Sequence, residues 1–195
     1  MDSWPVEIWT ISLLEEAPSV LSEDEAVRAA RLRFEADRVR WTRARSALRR
    51  VLAEYTGQAP GDLAFDVGEH GKPSLRGAKC AAGIEFNLSH AGDWAMIAVS
   101  RQVPVGVDIE RFRARVDMGA LLRRLGEIDI PENRAAQLQE WTRREAKSKA
   151  VGGPLFDTPP EDVRVATLEA PAGYAASVAL MGLEPVPVYR TTFPS

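Results

Sequence analysis

No stretch of this chain restricts the fold as much as Val105-Gly106-Val107-Asp108-Ile109-Glu110, an apolar run that abruptly presents two carboxylates two residues apart. In a β-strand residues i and i+2 share a face, so Asp108 and Glu110 leave the end of a buried strand in the same direction. Carboxylates that converge repel one another unless something positive stands between them. A hard divalent cation such as Mg²⁺, bound through one or two carboxylates plus a substrate phosphate, is the usual solution. Taken alone, an Asp-x-Glu is more often a strand running into a polar turn, so the weight of the reading rests on the rest of the chain.

Further along, Trp141-Thr142-Arg143-Arg144-Glu145-Ala146-Lys147-Ser148-Lys149-Ala150-Val151 reads as a helix stopped by the pair Gly152-Gly153. Glu145 and Lys149 are spaced i, i+4 and stack on one face. By itself such a pair is an ordinary surface contact of about 0.2–0.5 kcal/mol. Trp141, Ala146 and Ala150 mark another face of the helix as packed against the body of the protein.

Upstream, the segment from Ile84 to Ser100 reads as a strand, a polar turn and a second strand. The second limb, Trp94 to Val99, is apolar on both faces and therefore buried. Asn87, Ser89 and Asp93 are residue types that shape turns through local bonds to the backbone. His90 is one of only two histidines, and a turn displaying backbone N–H groups beside Ser and His can receive an anion. Shortly before this strand, Gly68-Glu69-His70-Gly71-Lys72-Pro73 places a lysine on a rigid loop, a natural point-charge partner for phosphate.

Taken in order, His70-Gly71-Lys72-Pro73, Phe86-Asn87-Leu88-Ser89-His90, Val105 to Glu110 and Trp141 to Ala150 resemble the 4′-phosphopantetheinyl transferases, specifically the Sfp-like subfamily that modifies carrier proteins of peptide and polyketide synthesis. Each block is weak evidence; four in the family order are strong. The resemblance implies that Asp108, Glu110 and Glu145 hold Mg²⁺ against the pyrophosphate of coenzyme A, with Asp108, Glu145 and Lys149 as the catalytic set. Glu145 would also take the proton of the carrier-protein serine, directly or through water, and Lys149 would sit by the attacked phosphate. Ser89 and His90, with the backbone around Asn87, would contact the nucleotide and phosphate region of coenzyme A. Lys72, and Arg28 or Arg40 from the basic segment, would add positive charge at the nucleotide end. The chain departs from the family pattern between Val116 and Gln139, where a Leu/Arg-rich stretch interrupted by Gly126 and Pro131 replaces a phenylalanine-rich one, which bears on carrier recognition. It also ends soon after its last expected strand, where longer members continue.

The residue types suit that chemistry independently of the resemblance. Moving a phosphopantetheine arm onto serine breaks a phosphoanhydride and expels a nucleotide, so charge on the bridging phosphates must be neutralised and a hydroxyl proton removed. A carboxylate-held metal supplies the first as Lewis acid and template. A positioned carboxylate supplies the second, an effect of about 10²–10⁴-fold. A lysine one helical turn away stabilises the transferring group.

Two other functions compete. A catalytically idle coenzyme A or carrier-protein binder would have lost a metal ligand or the lysine, yet Asp108, Glu110, Glu145 and Lys149 are all present. A metal-dependent phosphohydrolase would leave the His70 to Pro73 and Phe86 to His90 blocks without a task.

With 195 residues, 45% hydrophobic and 27% charged, the chain has ample core for one or two small domains. A net charge of −3 argues against a nucleic-acid binder. The single cysteine, Cys80, excludes an intramolecular disulfide framework, fits a reducing compartment and stands outside any acid/base constellation. Met1 to Pro5 lacks a charged stretch followed by an apolar one, and no run approaches the ~18 apolar residues of a membrane span. A cytoplasmic monomer with no membrane or nucleic-acid partner is expected, acting on coenzyme A and apo carrier domains of fatty-acid, polyketide or nonribosomal peptide synthases. Nine arginines between Arg28 and Arg50 suit both a solvated helix face and attraction of acidic carriers.

Strand, helices, then paired strands occurs twice, in residues 1–101 and 102–195, with Gln102 to Pro104 as crossover. The resemblance implies an α+β, pseudo-dimeric fold of two similar halves, each a small antiparallel sheet packed with helices, with the active site in the cleft between them. The first half would carry the nucleotide contacts and the second the metal-binding and catalytic residues.

Overall fold

The computed structural model describes residues 3–68, 71–77, 83–113, 115–154 and 160–190. Two of the sequence features above, His70 and Cys80, lie outside the described residues. In chain order the elements are β1 (Ser3–Ser12), α1 (Glu23–Ala30), α2 (Glu35–Thr56), β2 (Phe65–Val67), β3 (Pro73–Leu75), β4 (Ile84–Ala91), β5 (Trp94–Arg101), β6 (Val105–Arg111), α3 (Met118–Arg124), α4 (Arg134–Val151), β7 (Val163–Leu168), β8 (Tyr174–Met181) and β9 (Glu184–Arg190).

Alternation along the strands builds the layers. On β1 and β5, Trp9, Ile11, Ala95, Ile97 and Val99 face Ala44, Leu48, Val51 and Leu52 of α2. The opposite face, Val6, Ile8, Met96 and Ala98, meets Val105, Val107, Ile109, Val178 and Leu180 of β6 and β8. The far side of that second sheet carries α4 through Ala146, Ala150, Val163 and Ala179. The order is therefore helix, sheet, sheet, helix. Burial on both faces explains why Trp94 to Val99 is continuously apolar.

The mixed α+β class is as expected, but the description of each half as a small antiparallel sheet needs correction. The first sheet runs β4-β5-β1-β9, and β9, from the end of the chain, lies parallel to β1 with Glu7 opposite Val188. The second sheet keeps only β6-β8-β7, all antiparallel. Glu7 on β1 receives Arg190 of β9 and the hydroxyl of Tyr55 on α2, both at 2.6 Å, which ties the crossing strand down.

A second correction concerns Ser89 and His90. They belong to β4, opposite Met96 and Ala95 of β5, and the turn is made by Gly92 and Asp93. Asn87 and Ser89, at alternating positions, form one face of this strand, and His90 points to the other.

α4 starts at Asn133, whose side-chain oxygen accepts from the N–H groups of Ala135 and Ala136, and ends at Gly152 with φ 71°. The left-handed conformation there favours glycine.

Candidate active site

The expected carboxylates and lysine come together where β4, β6 and α4 meet. On β6, alternation turns Val105, Val107 and Ile109 into the core and Gly106, Asp108 and Glu110 toward α4. Gly106 is required there: a Cβ at this position would overlap the carbonyl oxygen of Ala146 and the amide nitrogen of Ala150, and stand 2.8 Å from the Lys149 carbonyl carbon. Helix and strand thus pack backbone to backbone, and Lys149 reaches Asp108.

Asp108 is 2% exposed. Its Oδ1 accepts from Lys149 Nζ at 2.6 Å and from Ser89 Oγ at 2.8 Å. Its Oδ2 is buried and has no hydrogen-bond partner. Orphaned buried carboxylate oxygens are costly and call for an explanation. Lys149 Nζ also donates to Ser89 Oγ at 3.1 Å.

Half-buried Glu110 and Glu145 complete the acidic group. Burial raises the Glu110 carboxyl above its ordinary value and the Asp108 charge raises it further. Burial likewise raises Glu145; Lys149 opposes the rise, while Asp108 and Glu110 add to it. The three carboxylates therefore feel one another's charge. Among the described residues, however, no group of three or more His, Cys, Asp or Glu side chains is gathered closely enough to hold a metal ion. As a donor set, an orphaned Asp108 oxygen flanked by two mutually repelling carboxylates suits a hard divalent cation; Glu110 and Glu145 would have to close on it.

Asn87 and Ser89 have a role that was not visible in the sequence. β6 is an edge strand of its sheet. Its Val107 and Ile109 N–H groups donate to Asn87 Oδ1 at 3.0 Å and Ser89 Oγ at 3.3 Å. Residues i and i+2 of β4 thereby satisfy residues i and i+2 of β6, joining the two sheets through side chains. The spacing Asn-x-Ser was the available signal, but nothing local says which strand it faces.

Next to this junction lies a cavity of about 480 Å³ lined by Arg28, Arg45, Trp41, Phe65, Asn87 and His90, among others. Arg28 sits 5.8 Å from the Trp41 ring centroid and Arg45 4.3 Å from that of Phe65. The sequence reading missed Arg45, Phe65 and Glu25. Glu25 is the N3 residue of a capping box with Ser22 at the start of α1, and it also receives Arg45 and, at 2.6 Å, the fully buried Arg49. The Ser-x-x-Glu box was legible, but its use as an arginine anchor was not.

His90 lines this cavity and a second opening shared with Arg40, Asp37, Glu110 and Arg113. Partial desolvation and then the Lys149 charge lower its pKa, against a smaller opposing effect of Asp37. Arg40 is ion-paired to Asp93 at 2.8 Å. The structure thus puts Arg28 in the cavity with His90 and Asn87, and Arg40 in the second opening.

Lys72 is not brought into this group. Its ammonium donates to the carbonyls of Val105 and Ala150 at 3.1 and 3.0 Å.

Comparison with known proteins gives one consistent result. A family model described as 4′-phosphopantetheinyl transferase, N-terminal, matches residues 9–102. The 4′-phosphopantetheinyl transferase HetI of Nostoc sp. is 32% identical over 198 residues, spanning 93% of this chain and 83% of the relative. The 4′-phosphopantetheinyl transferase psf-1 of Bacillus pumilus is 28% identical over 71% of this chain and 61% of its own length. For the 4′-phosphopantetheinyl transferase gsp of Aneurinibacillus migulanus the figures are 29%, 56% and 46%.

Proposed function

This chain belongs to the 4′-phosphopantetheinyl transferase family, and from that premise we propose that it moves the 4′-phosphopantetheine arm of coenzyme A onto a serine of an apo carrier protein, releasing adenosine 3′,5′-bisphosphate. The carrier would be an acyl or peptidyl carrier domain of a fatty-acid, polyketide or nonribosomal peptide synthase. The observation that carries this reading is the Asp108 carboxylate, held on one oxygen by Lys149 and Ser89 and left without a partner on the other, within reach of the charges of Glu110 and Glu145.

The cationic and aromatic cavity of Arg28, Arg45, Trp41 and Phe65 suits the nucleotide end, with its 3′-phosphate and adenine. His90, at the rim shared by both openings, lies where the phosphates would pass toward Asp108. Asp108, Glu110 and Glu145 would hold Mg²⁺, which when bound supplies charge neutralisation on the pyrophosphate. Glu145 takes the serine proton directly or through water. The serine oxygen then bonds to the phosphorus bearing the pantetheine arm, and the bond from that phosphorus to the bridging oxygen breaks. Lys149 stabilises the transferring phosphoryl as its charge shifts.

The deciding experiment mixes the purified protein with coenzyme A, Mg²⁺ and a panel of apo carrier domains and weighs the products. A gain of one phosphopantetheine on a carrier supports the reading, whereas coenzyme A binding with no mass gain on any carrier would leave an idle binder. Independently of turnover, Mg²⁺ should raise the Tm of the wild type by mass action and leave that of Asp108→Asn unchanged.

A further inference from the structure

We propose that Lys72 is a positioning residue, clamping the start of β6 to the end of α4 so that Asp108 and Lys149 stay in register, and that it does not contact coenzyme A. The role rests on the transfer proposed above. Lys72 comes from the loop before β3, in the first half of the chain, while both its acceptors belong to the second half. Val105 lies three residues before Asp108 on β6, and Ala150 follows Lys149 on α4. The Ala150 carbonyl is one of the last four of its helix, which have no partner within the helix. A cation there also opposes the negative end of the helix dipole.

The ammonium is taken up by these two carbonyls. Its stem runs beside Gly152, where an added Cβ would lie 3.5 Å from Lys72 Cδ. Burial lowers the Lys72 pKa, with Glu85 opposing. Gly106, next to Val105, packs against Lys149 and Ala150 of the same helix, so loss of the clamp would loosen the pair at the end nearest Lys149.

The test compares Lys72→Met, which keeps the stem and removes the donors, with Lys72→Arg, which retains donors for both carbonyls. Lys72→Met should lose about 10–10²-fold in kcat while the KM for coenzyme A stays within about twofold, because a displaced catalytic group costs rate before it costs ground-state binding. Lys72→Arg should recover part of kcat. Amide hydrogen exchange should quicken in residues 105–109 and 148–152 of Lys72→Met and return toward wild type in Lys72→Arg. If Lys72→Met does not fold, Lys72→Gln, which keeps an uncharged amide donor group on a shorter stem, takes its place. A raised KM for coenzyme A with kcat unchanged would make Lys72 a ligand contact and overturn the proposal, as would unchanged exchange in both segments. A wild type that transfers nothing would overturn the assigned function instead, and the exchange experiment would still judge Lys72.

Discussion

Gly106 on β6 and Ala146 on α4 touch through their backbones, so closely that a methyl group at Gly106 would overlap the Ala146 carbonyl oxygen. The atoms it would strike are main-chain atoms of a helix and cannot swing away. Gly106→Ala should therefore destabilise the protein by about 1–3 kcal/mol or more through overpacking. By moving Lys149 away from Asp108 it should also lower transfer by about 10²-fold. Urea denaturation together with a carrier-loading assay measures both; a variant with wild-type stability and rate would show that the helix can retreat without consequence.

Asn87 joins the two sheets. Asn87→Ala leaves the buried N–H of Val107 without its acceptor, at a cost of about 1–3 kcal/mol. Asn87→Asp keeps an oxygen in place and should recover much of that loss. Equal stability of Asn87→Ala and wild type in denaturant would mean that water replaces the bond.

Glu145 and Lys149 separate by role. Glu145→Gln should still bind coenzyme A, measured by calorimetry, while transfer falls by about 10²-fold or more. Lys149→Met removes the partner of Asp108 Oδ1 and should depress kcat in the same range. Unchanged kinetics in both variants would reduce the pair to a structural contact.

The nucleotide end can be located with 3′-dephospho coenzyme A. Arg28→Ala and Arg45→Ala should each weaken coenzyme A binding, and the variant that removes the 3′-phosphate contact should no longer distinguish the two ligands. Arg40, which lines the second opening and is already paired with Asp93, should keep the discrimination intact when replaced by alanine. Should Arg40→Ala alone lose it, the cavity assignment fails.

Glu25 makes stability depend on acid. Burial alone would raise its carboxyl, but bonds from Arg49, Ser22 and Arg45 outweigh that and hold its pKa below the ordinary value. A depressed folded-state pKa means that the contribution is full above the unfolded value of about 4.3 and is lost as pH falls through the folded one. Denaturation midpoints should drop more steeply below about pH 4.3 in the wild type than in Glu25→Gln. The variant should be the less stable of the two at pH 7, since it leaves Arg49 buried without a counter-charge.

The sequence by itself determined the local geometry of the site. Asp108 and Glu110 share a strand face because strands repeat every two residues, and Glu145 and Lys149 share a helix face because helices repeat every 3.6. The long, doubly apolar β5 and the glycine stop of α4 were legible for the same reason. Only the tertiary structure decided what those faces meet. Lys72 and Ala150 are 78 residues apart, Lys149 and Asp108 41, Arg190 and Glu7 183. A lysine on a stiff loop carries the same local signal whether it ends on a phosphate or on a helix carbonyl, and Asn-x-Ser the same whether it forms a turn or joins two strands. Periodicity states which side chains travel together. The destination depends on which buried donors and acceptors are left unsatisfied once distant segments pack, and no window of sequence contains both partners.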